Sequence, residues 1–363
     1  MKCLFVASSM NFGGAERVMS ILANSWCDKG CEVKILLTGT SAQSKYTLSK
    51  QVELISCFSD AKKAIVPHFV IVKVVRSLCK LWKPDVVISF YNDIAALTAV
   101  AITGLRIPLI YSERNDPNRV NQRKVDKIYR KIVEHRADEF VFQTTGAQKC
   151  YPKKVQKRSV VILNPLDVTG FPTHDFTVEK KEIVTVGRLE PQKNQKLLIN
   201  AFSEIAKDFP DYTLIIYGEG SLRNELENYI ISKGLQSKVV LPGAKNNIQE
   251  YIKDASLFVL SSDYEGIPNA LIEAMAIGLP CVSTDCSPGG ARELIADGKN
   301  GAIVECGNPQ MLAKAMEFVL KDREKAQEMG INAKKICVRV DKDVVCDSWL
   351  NLIKDSRGKK NGV

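Results

Sequence analysis

Residues 257–284 read LFVLSSDYEGIPNALIEAMAIGLPCVST, and this stretch decides the fold class. The apolar run Leu257–Ser262 is typical of a buried strand. Pro268 suits the first position of a helix, and Gly278 suits its end. A second apolar run, Pro280–Thr284, follows directly. The stretch therefore predicts strand, helix and strand in succession, which is the repeating unit of a parallel sheet covered by helices.

The same alternation of short apolar runs and helical segments extends along all 363 residues. In the first half it predicts strands at Cys3–Ser8, Glu32–Leu37, Val86–Phe90, Leu109–Ser112, Glu139–Gln143 and Val160–Leu163. In the second half it predicts them at Ile183–Gly187, Thr213–Gly218, Val239–Gly243, Leu257–Ser262, Pro280–Thr284 and Gly301–Val304. Between the halves, Asn164–Lys181 has no sustained period and is typical of a linker.

We therefore predict an α/β protein with two doubly wound, Rossmann-like domains at residues 1–166 and 167–340. A helical segment at 341–363 follows them, and it either returns to the first domain or is an ordinary terminal helix. Two such domains in tandem are expected to direct the carboxyl ends of their strands toward a shared central cleft, where open α/β sheets bind ligands.

The charge is distributed unevenly between the two halves. Residues 1–166 carry 26 Lys and Arg against 13 Asp and Glu, or +13, and residues 167–363 carry 25 against 28, or −3. A basic half suits nucleic acid, an anionic membrane or a phosphorylated substrate, and it is also compatible with a merely soluble surface. The 45% of hydrophobic and 25% of charged residues exclude a disordered, collagen-like or mainly transmembrane chain.

The cysteines and the apolar runs bear on location. Eleven cysteines form no Cys-x-x-Cys pair, which fits a reducing cytoplasm. The longest uncharged apolar run, Ile94–Leu105, is about half as long as a spanning helix requires, and Cys3–Ala7 is too short for a signal-peptide core. We therefore expect a cytoplasmic protein that is neither exported nor membrane-spanning, with any membrane contact made at the inner face of the plasma membrane.

One predicted helix in the basic half is amphipathic, with apolar and basic side chains on neighbouring stripes. The apolar stripe is Ile65, Phe69, Val72, Val75, Cys79 and Trp82, and the basic stripe is Lys73, Arg76, Lys80 and Lys83. A second basic cluster comprises Arg119, Arg123, Lys124, Lys127, Arg130, Lys131 and Arg136, with Asp126 and Glu134 among them. These residues either dock the protein on an anionic membrane surface or are solvated charges beside a stripe that packs on its own sheet.

A glycine turn follows the first predicted strand in Asn11-Phe12-Gly13-Gly14. Paired glycines allow a ligand to approach the backbone, and the N-terminus of the helix behind them offers unpaired N–H groups to a phosphate. A purely structural turn explains Gly13 and Gly14 equally well.

The corresponding loop of the second half, Val186–Asn194, contains Gly187, Arg188 and Lys193. Both cations would converge on one anion such as a diphosphate, Arg188 through the paired hydrogen bonds of its guanidinium and Lys193 as a point charge. The alternative is a pair of solvated surface cations.

Two glutamates lie seven residues apart within Glu265–Gly278. Glu265 precedes the predicted helix and Glu273 lies inside it. A carboxylate without a partner on this nearly apolar helix would cost free energy. Such carboxylates accept hydrogen bonds from sugar and ribose hydroxyls. The segment between them consists of Gly266, Ile267, Pro268 and Asn269, and its backbone offers N–H groups to phosphate from every residue except Pro268.

Together these motifs resemble the retaining glycosyltransferases of family 4, over almost the whole chain. The resemblance rests on Gly13-Gly14-Ala15-Glu16-Arg17, on Gly187-Arg188-Leu189 with Lys193, and on the glutamates of Glu265–Glu273 followed by Ala274-Met275-Ala276-Ile277-Gly278-Leu279-Pro280. It implies the GT-B fold, a nucleotide-sugar donor held by the C-terminal domain, an acceptor presented by the N-terminal domain, and retention at the anomeric carbon with no metal or other cofactor.

The resemblance also implies residue roles. Arg188 and Lys193 would neutralise the leaving diphosphate, Glu265 would bind hydroxyls of the donor sugar, and Glu273 would hold the ribose. Gly14 would approach the donor phosphates, and the carrier is expected to be uridine diphosphate. Charge stabilisation at the leaving phosphate would then supply most of the catalysis.

The chain departs from many family members at Ser112–Pro117, where a histidine is absent and the residues read Ser-Glu-Arg-Asn-Asp-Pro. This sequence resembles the subset that acts on polyprenyl-diphosphate-linked saccharides and on bacterial surface polysaccharides. Glu113 and Arg114 are therefore candidate acceptor-side residues. The implied partners are a UDP-linked donor, a lipid-linked saccharide and an anionic membrane surface, with no nucleic acid.

Three other functions stand as alternatives. A nicotinamide dehydrogenase is disfavoured because Gly218-Glu219-Gly220 lacks the third glycine of the dinucleotide motif, Arg223 standing in its place. A sugar-nucleotide epimerase on the same architecture needs no acceptor and remains open. A basic nucleic-acid-binding protein also remains open, although zinc-ligand spacing and aromatic-rich sheet motifs are absent from the sequence.

Overall fold

The computed structural model describes residues 1–11, 13–39, 43–57, 67–119, 123–178 and 180–361, with the backbone alone at 359–361. The chain divides into two compact units. One combines Met1–Pro165 with Val340–Val363, and the other is Leu166–Arg339. Phe12 of the predicted glycine turn and Ile65 of the predicted amphipathic helix lie outside the described residues.

The first unit is built on a parallel sheet that has the order β3-β2-β1-β4-β5-β6-β7 in its described residues. The strands are β1 (Lys2–Ala7), β2 (Glu32–Leu37), β3 (Glu53–Ser56), β4 (Val86–Ser89), β5 (Leu109–Ser112), β6 (Glu139–Phe142) and β7 (Ser159–Val161). The helices are α1 (Gly14–Asp28), α2 (His68–Trp82), α3 (Asn92–Ala101), α4 (Lys124–Arg136), α5 (Thr145–Lys149) and α6 (Lys153–Gln156). From β1 the chain proceeds through β2 to β3 at one edge of the sheet. It then returns to β4 beside β1 and proceeds through β5 and β6 to β7 at the other edge, which is the doubly wound arrangement.

The second unit repeats this plan with the strand order β10-β9-β8-β11-β12-β13. Its strands are β8 (Lys180–Val186), β9 (Thr213–Tyr217), β10 (Val239–Gly243), β11 (Ala255–Leu260), β12 (Cys281–Thr284) and β13 (Ala302–Val304). Its helices are α7 (Gln195–Ile205), α8 (Arg223–Ser232), α9 (Ile248–Ile252), α10 (Asn269–Ile277), α11 (Gly290–Leu294), α12 (Pro309–Lys321), α13 (Arg323–Lys334) and α14 (Ile336–Val340). The predicted fold class, two Rossmann-like α/β domains with parallel sheets, is confirmed.

The last helix, α15 (Lys342–Asn361), packs in the core of the first unit. Trp349 is fully buried there, with its ring 6.0 Å from that of Phe90. The indole of Trp26 in α1 stacks on Phe5 at 5.3 Å and donates a hydrogen bond to the Cys346 carbonyl at 3.3 Å. The buried face of α15 thus contacts both α1 and the core of the sheet. Large aromatic side chains such as Trp349 contribute much of the apolar area that such a core buries.

Every predicted strand overlaps an observed one, but β3 was not predicted. Its four residues lie at the edge of the sheet and are only partly buried, so the alternation that marks a strand is weak there.

The amphipathic helix is present as α2, but its buried stripe differs from the prediction. Ile71, Val75 and Cys79 are buried, whereas Phe69 is 73% exposed. Ile71 replaces Phe69 on the inner stripe because residues at i, i+4 and i+8 share a face. No helix in the described part of the chain is both long and apolar enough to cross a membrane.

Candidate functional site

The predicted donor-side residues of the second unit come together at one edge of its sheet. Strands β8 and β11 are parallel neighbours. Arg188 and Lys193 follow β8, and Glu265 follows β11. Because the carboxyl ends of parallel strands meet at the same edge, the loops that carry these side chains adjoin where open α/β sheets bind ligands.

The loop after β8 positions the Lys193 ammonium group. Lys193 ends a short 3-10 turn, and Asn194 follows with φ at 43°, in the left-handed region. The Asn194 side chain accepts a hydrogen bond from the N–H of Leu197 in α7 and donates one to Asp263 Oδ1 at 2.8 Å. The turn is therefore anchored to the helix that follows it and to the loop after β11.

Gly187 leaves room for the Lys193 side chain beside the backbone. A Cβ atom at position 187 would lie 3.2 Å from Lys193 Cε. Gly218 packs still more tightly, since a Cβ atom there would lie 1.8 Å from the Gly187 carbonyl oxygen. These contacts explain the glycines by close packing, and the predicted contact of Gly187 with a donor stays a prediction.

Lys193 and Glu265 form a largely buried ion pair between Nζ and Oε1, with side chains 17% and 9% exposed. Ser262 Oγ donates to the same carboxylate oxygen at 2.8 Å, and Gln192 Nε2 donates to Oε2 at 3.3 Å. Both oxygens of the carboxylate are thus held. Removing one partner of an ion pair this buried destabilises a protein more than removing one partner of an exposed pair, because the remaining charge is left without a counter-ion.

Glu273 lies in α10 and is buried, 6% exposed. The side-chain amide of Gln249 in α9 donates to its Oε2 at 2.8 Å. The structure thus places this carboxylate inside the second unit rather than on a solvated helix face.

Arg188 differs from the other three donor-side candidates because its side chain is exposed. Its carbonyl accepts a hydrogen bond from Gln195 Nε2 at 2.8 Å, whereas its guanidinium makes no hydrogen bond or ion pair with the residues that the structure describes. The structure therefore brings Lys193 and Glu265 into contact, and it leaves the Arg188 side chain exposed on the loop that carries Lys193.

The loop Gly266–Asn269 runs directly into α10, which begins at Asn269. Pro268 precedes the helix rather than occupying its first position, because its ψ of 103° is not helical. Ile267 is buried, and the loop is tightly packed, since a Cβ atom at Gly290 would lie 2.4 Å from the Gly266 carbonyl oxygen. The first turn of α10 offers N–H groups without intrahelical partners, the feature that a phosphate uses.

The glycine turn of the first unit has a packing explanation. Gly13 caps α1, and a Cβ atom there would lie 2.2 Å from Glu16 Oε2. The Tyr46 hydroxyl accepts the Gly13 N–H at 3.1 Å and donates to its carbonyl at 2.8 Å, while the Tyr91 hydroxyl donates to Glu16. A phosphate contact by Gly13 and Gly14 stays a prediction.

The Glu113 carboxylate is buried and surrounded by donors. Its Oε2 accepts hydrogen bonds from the hydroxyls of Tyr111 at 2.9 Å and Tyr151 at 2.8 Å. Its Oε1 accepts the backbone N–H groups of Arg114 at 3.0 Å and Asn115 at 3.2 Å. Burial raises the pKa of Glu113. Both oxygens hold the loop after β5 in place, which gives this residue a structural role.

Arg114 is also buried, 9% exposed, and its guanidinium lies 4.2 Å from the Phe90 ring centre and 5.5 Å from that of Trp349. It donates to Asn164 Oδ1 at 2.9 Å, whereas its Nε and Nη2 have no hydrogen-bond partner among the described residues. Burial lowers the pKa of Arg114 to about 9. The acceptor-side roles of Glu113 and Arg114 stay predictions.

Three side chains of the site were given no role from the sequence: Gln192, Ser262 and Gln249. Gln192 adjoins Lys193 in the quoted loop, and Ser262 ends a predicted strand, so both positions carried a local signal. Gln249 approaches Glu273 from 24 residues away in the chain, and no sequence pattern indicates that contact. Among the described residues, no three His, Cys, Asp or Glu side chains cluster in a way that would hold a metal ion.

Comparisons with known proteins match both units. Residues 171–336 match the family model described as glycosyl transferases group 1, and residues 12–169 match that of glycosyltransferase family 4.

Two curated relatives come from Campylobacter jejuni. One is 31% identical over 360 residues, covering 97% of this chain and 98% of its own, and is named GalNAc-alpha-(1->4)-GalNAc-alpha-(1->3)-diNAcBac-PP-undecaprenol alpha-1,4-N-acetyl-D-galactosaminyltransferase. The other is 28% identical over 331 residues, covering 86% of this chain and 88% of its own. It is named N-acetylgalactosamine-N,N'-diacetylbacillosaminyl-diphospho-undecaprenol 4-alpha-N-acetylgalactosaminyltransferase.

Solved structures share the fold. Anabaena HepE in complex with UDP superposes with a TM-score of 0.81 at 21% identity, covering 98% of this chain and 100% of that one. The lipopolysaccharide outer core galactosyltransferase WaaB, in its apo form, superposes with a TM-score of 0.79 at 20% identity, covering 98% and 99%.

Proposed function

The chain belongs to the family 4 glycosyltransferases and has their GT-B fold, and we propose that it transfers a hexose or N-acetylhexosamine from a UDP-sugar to a lipid-linked saccharide. The acceptor class is supported by the two Campylobacter jejuni relatives, whose names specify undecaprenol-linked saccharides. The carrier is supported by HepE, which is solved with UDP and with UDP-glucose. The reaction would be a step in the synthesis of a bacterial surface glycan.

The observation that carries this proposal is the contact between Lys193 and Glu265 at the carboxyl edge of the second sheet. A sugar diphosphate presents two kinds of group, anionic phosphate oxygens and neutral hydroxyls. An ammonium group suits the phosphate and a carboxylate suits the hydroxyls. Lys193 and Glu265 supply one of each from adjoining loops.

Donor binding would exchange partners within this pair. Lys193 Nζ would move from Glu265 to a phosphate oxygen, and Glu265 would accept a sugar hydroxyl in its place. Ser262 and Gln192 would keep the carboxylate positioned during the exchange, since each donates to it independently of Lys193. The exposed guanidinium of Arg188 would add a second cation to the diphosphate.

We infer that transfer proceeds with retention and without a metal. Charge builds up on the departing phosphate as the sugar gains oxocarbenium character, and cations already bound to the diphosphate stabilise that charge. Lys193 and Arg188 would supply this positive charge. The departing phosphate oxygen would take the proton of the acceptor hydroxyl on the same face of the sugar, so the new bond forms where the old one breaks.

Membrane docking would bring the enzyme to its lipid-linked acceptor. Lys73 and Lys80 are exposed on α2, and Phe69, one helical turn before Lys73, has 73% of its surface exposed. On α4, Ile128 is 57% exposed among basic side chains, and the hydroxyl of Tyr129 lies 3.4 Å from His68 Nδ1 at the start of α2. The two helices thus present apolar side chains inside a basic surface, which suits an anionic bilayer.

A donor screen tests the proposed function. The protein is incubated with UDP-glucose, UDP-galactose and their N-acetylhexosamine counterparts, with and without a short polyprenyl-diphosphate-linked saccharide, while free UDP is measured. We expect acceptor-dependent UDP release with one of the donors, an α-linked product by NMR, and unchanged rates in EDTA. Release that never depends on the acceptor would contradict the acceptor class, and isomerised nucleotide sugar would establish the epimerase instead.

A further inference from the structure

Two cysteines of the second unit lie beside the segments that hold Glu265. Cys286 follows the end of β12, and Cys306 follows the end of β13. Neither of them forms a disulfide in the structure. Cys286 is fully buried, whereas Cys306 is partly exposed and lies between the exposed residues Glu305 and Gly307. Solvent therefore reaches Cys306 but not Cys286.

The register of the second sheet sets these two cysteines level with each other. Strands β12 and β13 are parallel neighbours, and their pairing ends at Thr284 and Val304, two residues before each cysteine. The chain keeps its register past Cys286, because Ser287 pairs with Tyr264 at the same offset as β12 pairs with β11. Neighbouring strands lie about 5 Å apart, and disulfides join Cα atoms about 4.4–6.8 Å apart. The register thus predicts a separation that a disulfide bridges.

Side-chain contacts place both thiols on one face of β12. Cys306 Sγ lies 3.7 Å from the Ser262 carbonyl oxygen, and the Thr284 hydroxyl donates to the same oxygen at 2.6 Å. Cys286 lies two residues after Thr284, and alternate residues of a strand share a face. Burial raises the pKa of the Cys286 thiol, and the charges of Glu265 and Cys306 raise it further. The effect of Cys306 on this pKa agrees with two thiols that lie close together.

A link between these cysteines would act on Glu265 from two sides. The Ser262 hydroxyl donates to the Glu265 carboxylate at 2.8 Å, and the Ser262 carbonyl is the contact of Cys306. Ser287, the residue after Cys286, accepts the Glu265 backbone N–H at 2.9 Å through its carbonyl. Joining the Cys306 sulfur to Cys286 would break its contact with Ser262. The link would thus strain both segments that position the carboxylate.

We propose that Cys286 and Cys306 are a site of reversible oxidation, at which a low-molecular-weight disulfide converts the two thiols into an internal disulfide that weakens donor binding at Glu265. The Cys306 thiolate attacks the oxidant, forms a mixed disulfide and releases one thiolate. The Cys286 thiolate then attacks the Cys306 sulfur and releases the second thiolate. Two electrons pass from the cysteines to the oxidant, and the two cysteine protons end on the released thiols. Transient disulfides of this sensing kind occur in reducing compartments.

Mass spectrometry tests the link without any reference to transfer. Full-length protein, reduced and then freed of reductant, is incubated with glutathione disulfide, and the remaining thiols are trapped with N-ethylmaleimide. Trypsin separates the two cysteines, because Arg292 and Lys299 lie between them. We expect peptide 254–292 to be linked to peptide 300–314 through Cys286, and dithiothreitol to separate them. A mixed disulfide on Cys306 that never passes to Cys286, or a Cys306 that stays reduced, would overturn the proposal.

The matched control is Cys281→Ser. Cys281 lies on the same tryptic peptide as Cys286, is equally buried, and donates through its Sγ to the Leu279 carbonyl at 3.3 Å. Cys281→Ser should keep the link. Cys286→Ser should lose it and accumulate the mixed disulfide on Cys306, and Cys306→Ser should form neither product. A link that persists in Cys286→Ser would identify Cys281 as the partner and contradict the proposed pair.

The effect on the donor site rests on the proposed function, and calorimetric titration with the UDP-sugar measures it. We expect oxidation to weaken binding at least about fivefold in wild type and in Cys281→Ser, about the loss of one hydrogen bond to Glu265, and to change nothing in Cys306→Ser. Dithiothreitol should restore the affinity. Equal affinities of the linked and reduced proteins would refute control of the donor site. Absence of binding by the reduced protein would instead refute the proposed function, and the disulfide would stand.

Discussion

The Glu265 carboxylate is held by three different side chains, and this arrangement explains how a buried acid can exchange partners. Lys193 contributes charge, while Ser262 and Gln192 contribute neutral hydrogen bonds. A neutral donor stays in place when the ammonium leaves, so it keeps the carboxylate oriented toward a hydroxyl. Ser262 is therefore a positioning residue in the proposed reaction.

Replacing Ser262 by alanine should lower kcat/KM about 5- to 10-fold, the effect of losing one hydrogen bond of about 1 kcal/mol. The matched control is Ser283→Ala, because Ser283 is equally buried and its hydroxyl donates to the Thr284 carbonyl at 3.0 Å rather than to Glu265. Steady-state kinetics with the donor found in the screen measure both variants. Equal losses in the two variants would mean that Ser262 acts only through stability.

Glu113 supports a prediction with a defined dependence on pH. Burial raises its pKa in the folded state, so the folded protein keeps this proton at pH values where the unfolded chain has lost it. The contribution of Glu113 to stability is therefore fully present below its ordinary pKa and declines as pH rises through the raised value. Glutamine cannot ionise and lacks that dependence.

We expect Glu113→Gln to destabilise the protein by about 1–3 kcal/mol, because its amide group faces donors on every side. The difference in unfolding free energy between wild type and the variant should be larger at pH 5 than at pH 8, as measured by urea denaturation. A difference that grows with pH would show that Glu113 is instead stabilised as a carboxylate by its four donors.

The sequence predicted Lys193, Glu265 and Glu273 because each lies close to a strand end or helix start with its own local pattern. It did not predict Ser262 as a partner of Glu265, although the two lie three residues apart, because residue types do not show which way a side chain turns. It did not predict Gln249, because that contact joins segments whose relative position depends on the packing of the whole sheet. Glu113 shows the same limit, because its hydroxyl partner Tyr151 lies 38 residues away.

At the scale of elements, α15 shows how one helix completes a distant core. Trp349 is fully buried against Phe90 and lies beside the Arg114 guanidinium. The sequence predicted a helical segment at 341–363. It left open whether that segment returns to the first domain, because a helical pattern does not show what the helix packs against.

Trp349→Ala should cost about 3–5 kcal/mol of unfolding free energy, the usual range for deleting a large buried aromatic side chain. Val344→Ala in the same helix is the control, because Val344 is 52% exposed and should change stability by less than about 0.5 kcal/mol. Urea denaturation followed by tryptophan fluorescence and circular dichroism measures both. Similar stability of the two variants would show that α15 is not part of the first core.

The basic residues of α2 fall into two groups that the sequence alone does not distinguish, those that make structural hydrogen bonds and those that are exposed. Arg76 Nη1 donates to the carbonyls of Ala101 at 2.7 Å and Thr103 at 2.9 Å, so it holds α2 to the end of α3. Lys73 and Lys80 are exposed. Only the exposed lysines are suitable targets in a test of membrane docking.

The triple variant Lys73→Glu/Lys80→Glu/Lys127→Glu should bind anionic vesicles at least about a hundredfold more weakly, at about 1 kcal/mol per basic residue near the bilayer. Sedimentation with phosphatidylserine-containing vesicles measures the binding. The control variant reverses three exposed lysines of the second unit, Lys207, Lys233 and Lys335. Equal binding by the two triple variants would refute docking through α2 and α4.

At the scale of the whole molecule, the two units share one plan but differ in charge and in the chemistry of their loops. The excess positive charge lies in residues 1–166, whereas the paired ammonium and carboxylate groups lie in the second unit. The alternation of apolar runs and helices was sufficient to predict both sheets, because buried parallel strands are nearly continuous apolar segments. The edge strand β3 escaped that pattern because it is only partly buried.

Calorimetric titration with UDP and with the UDP-sugar found in the screen tests the division of labour between Lys193 and Glu265 most directly. We expect Lys193→Ala to weaken both ligands at least about tenfold, and Glu265→Ala to weaken the UDP-sugar while leaving UDP unchanged or tighter. Lys196→Ala, which removes a partly exposed lysine of α7 paired with Glu225, serves as the control. Wild-type affinity of Lys193→Ala for UDP, or equal weakening of both ligands in Glu265→Ala, would contradict this division.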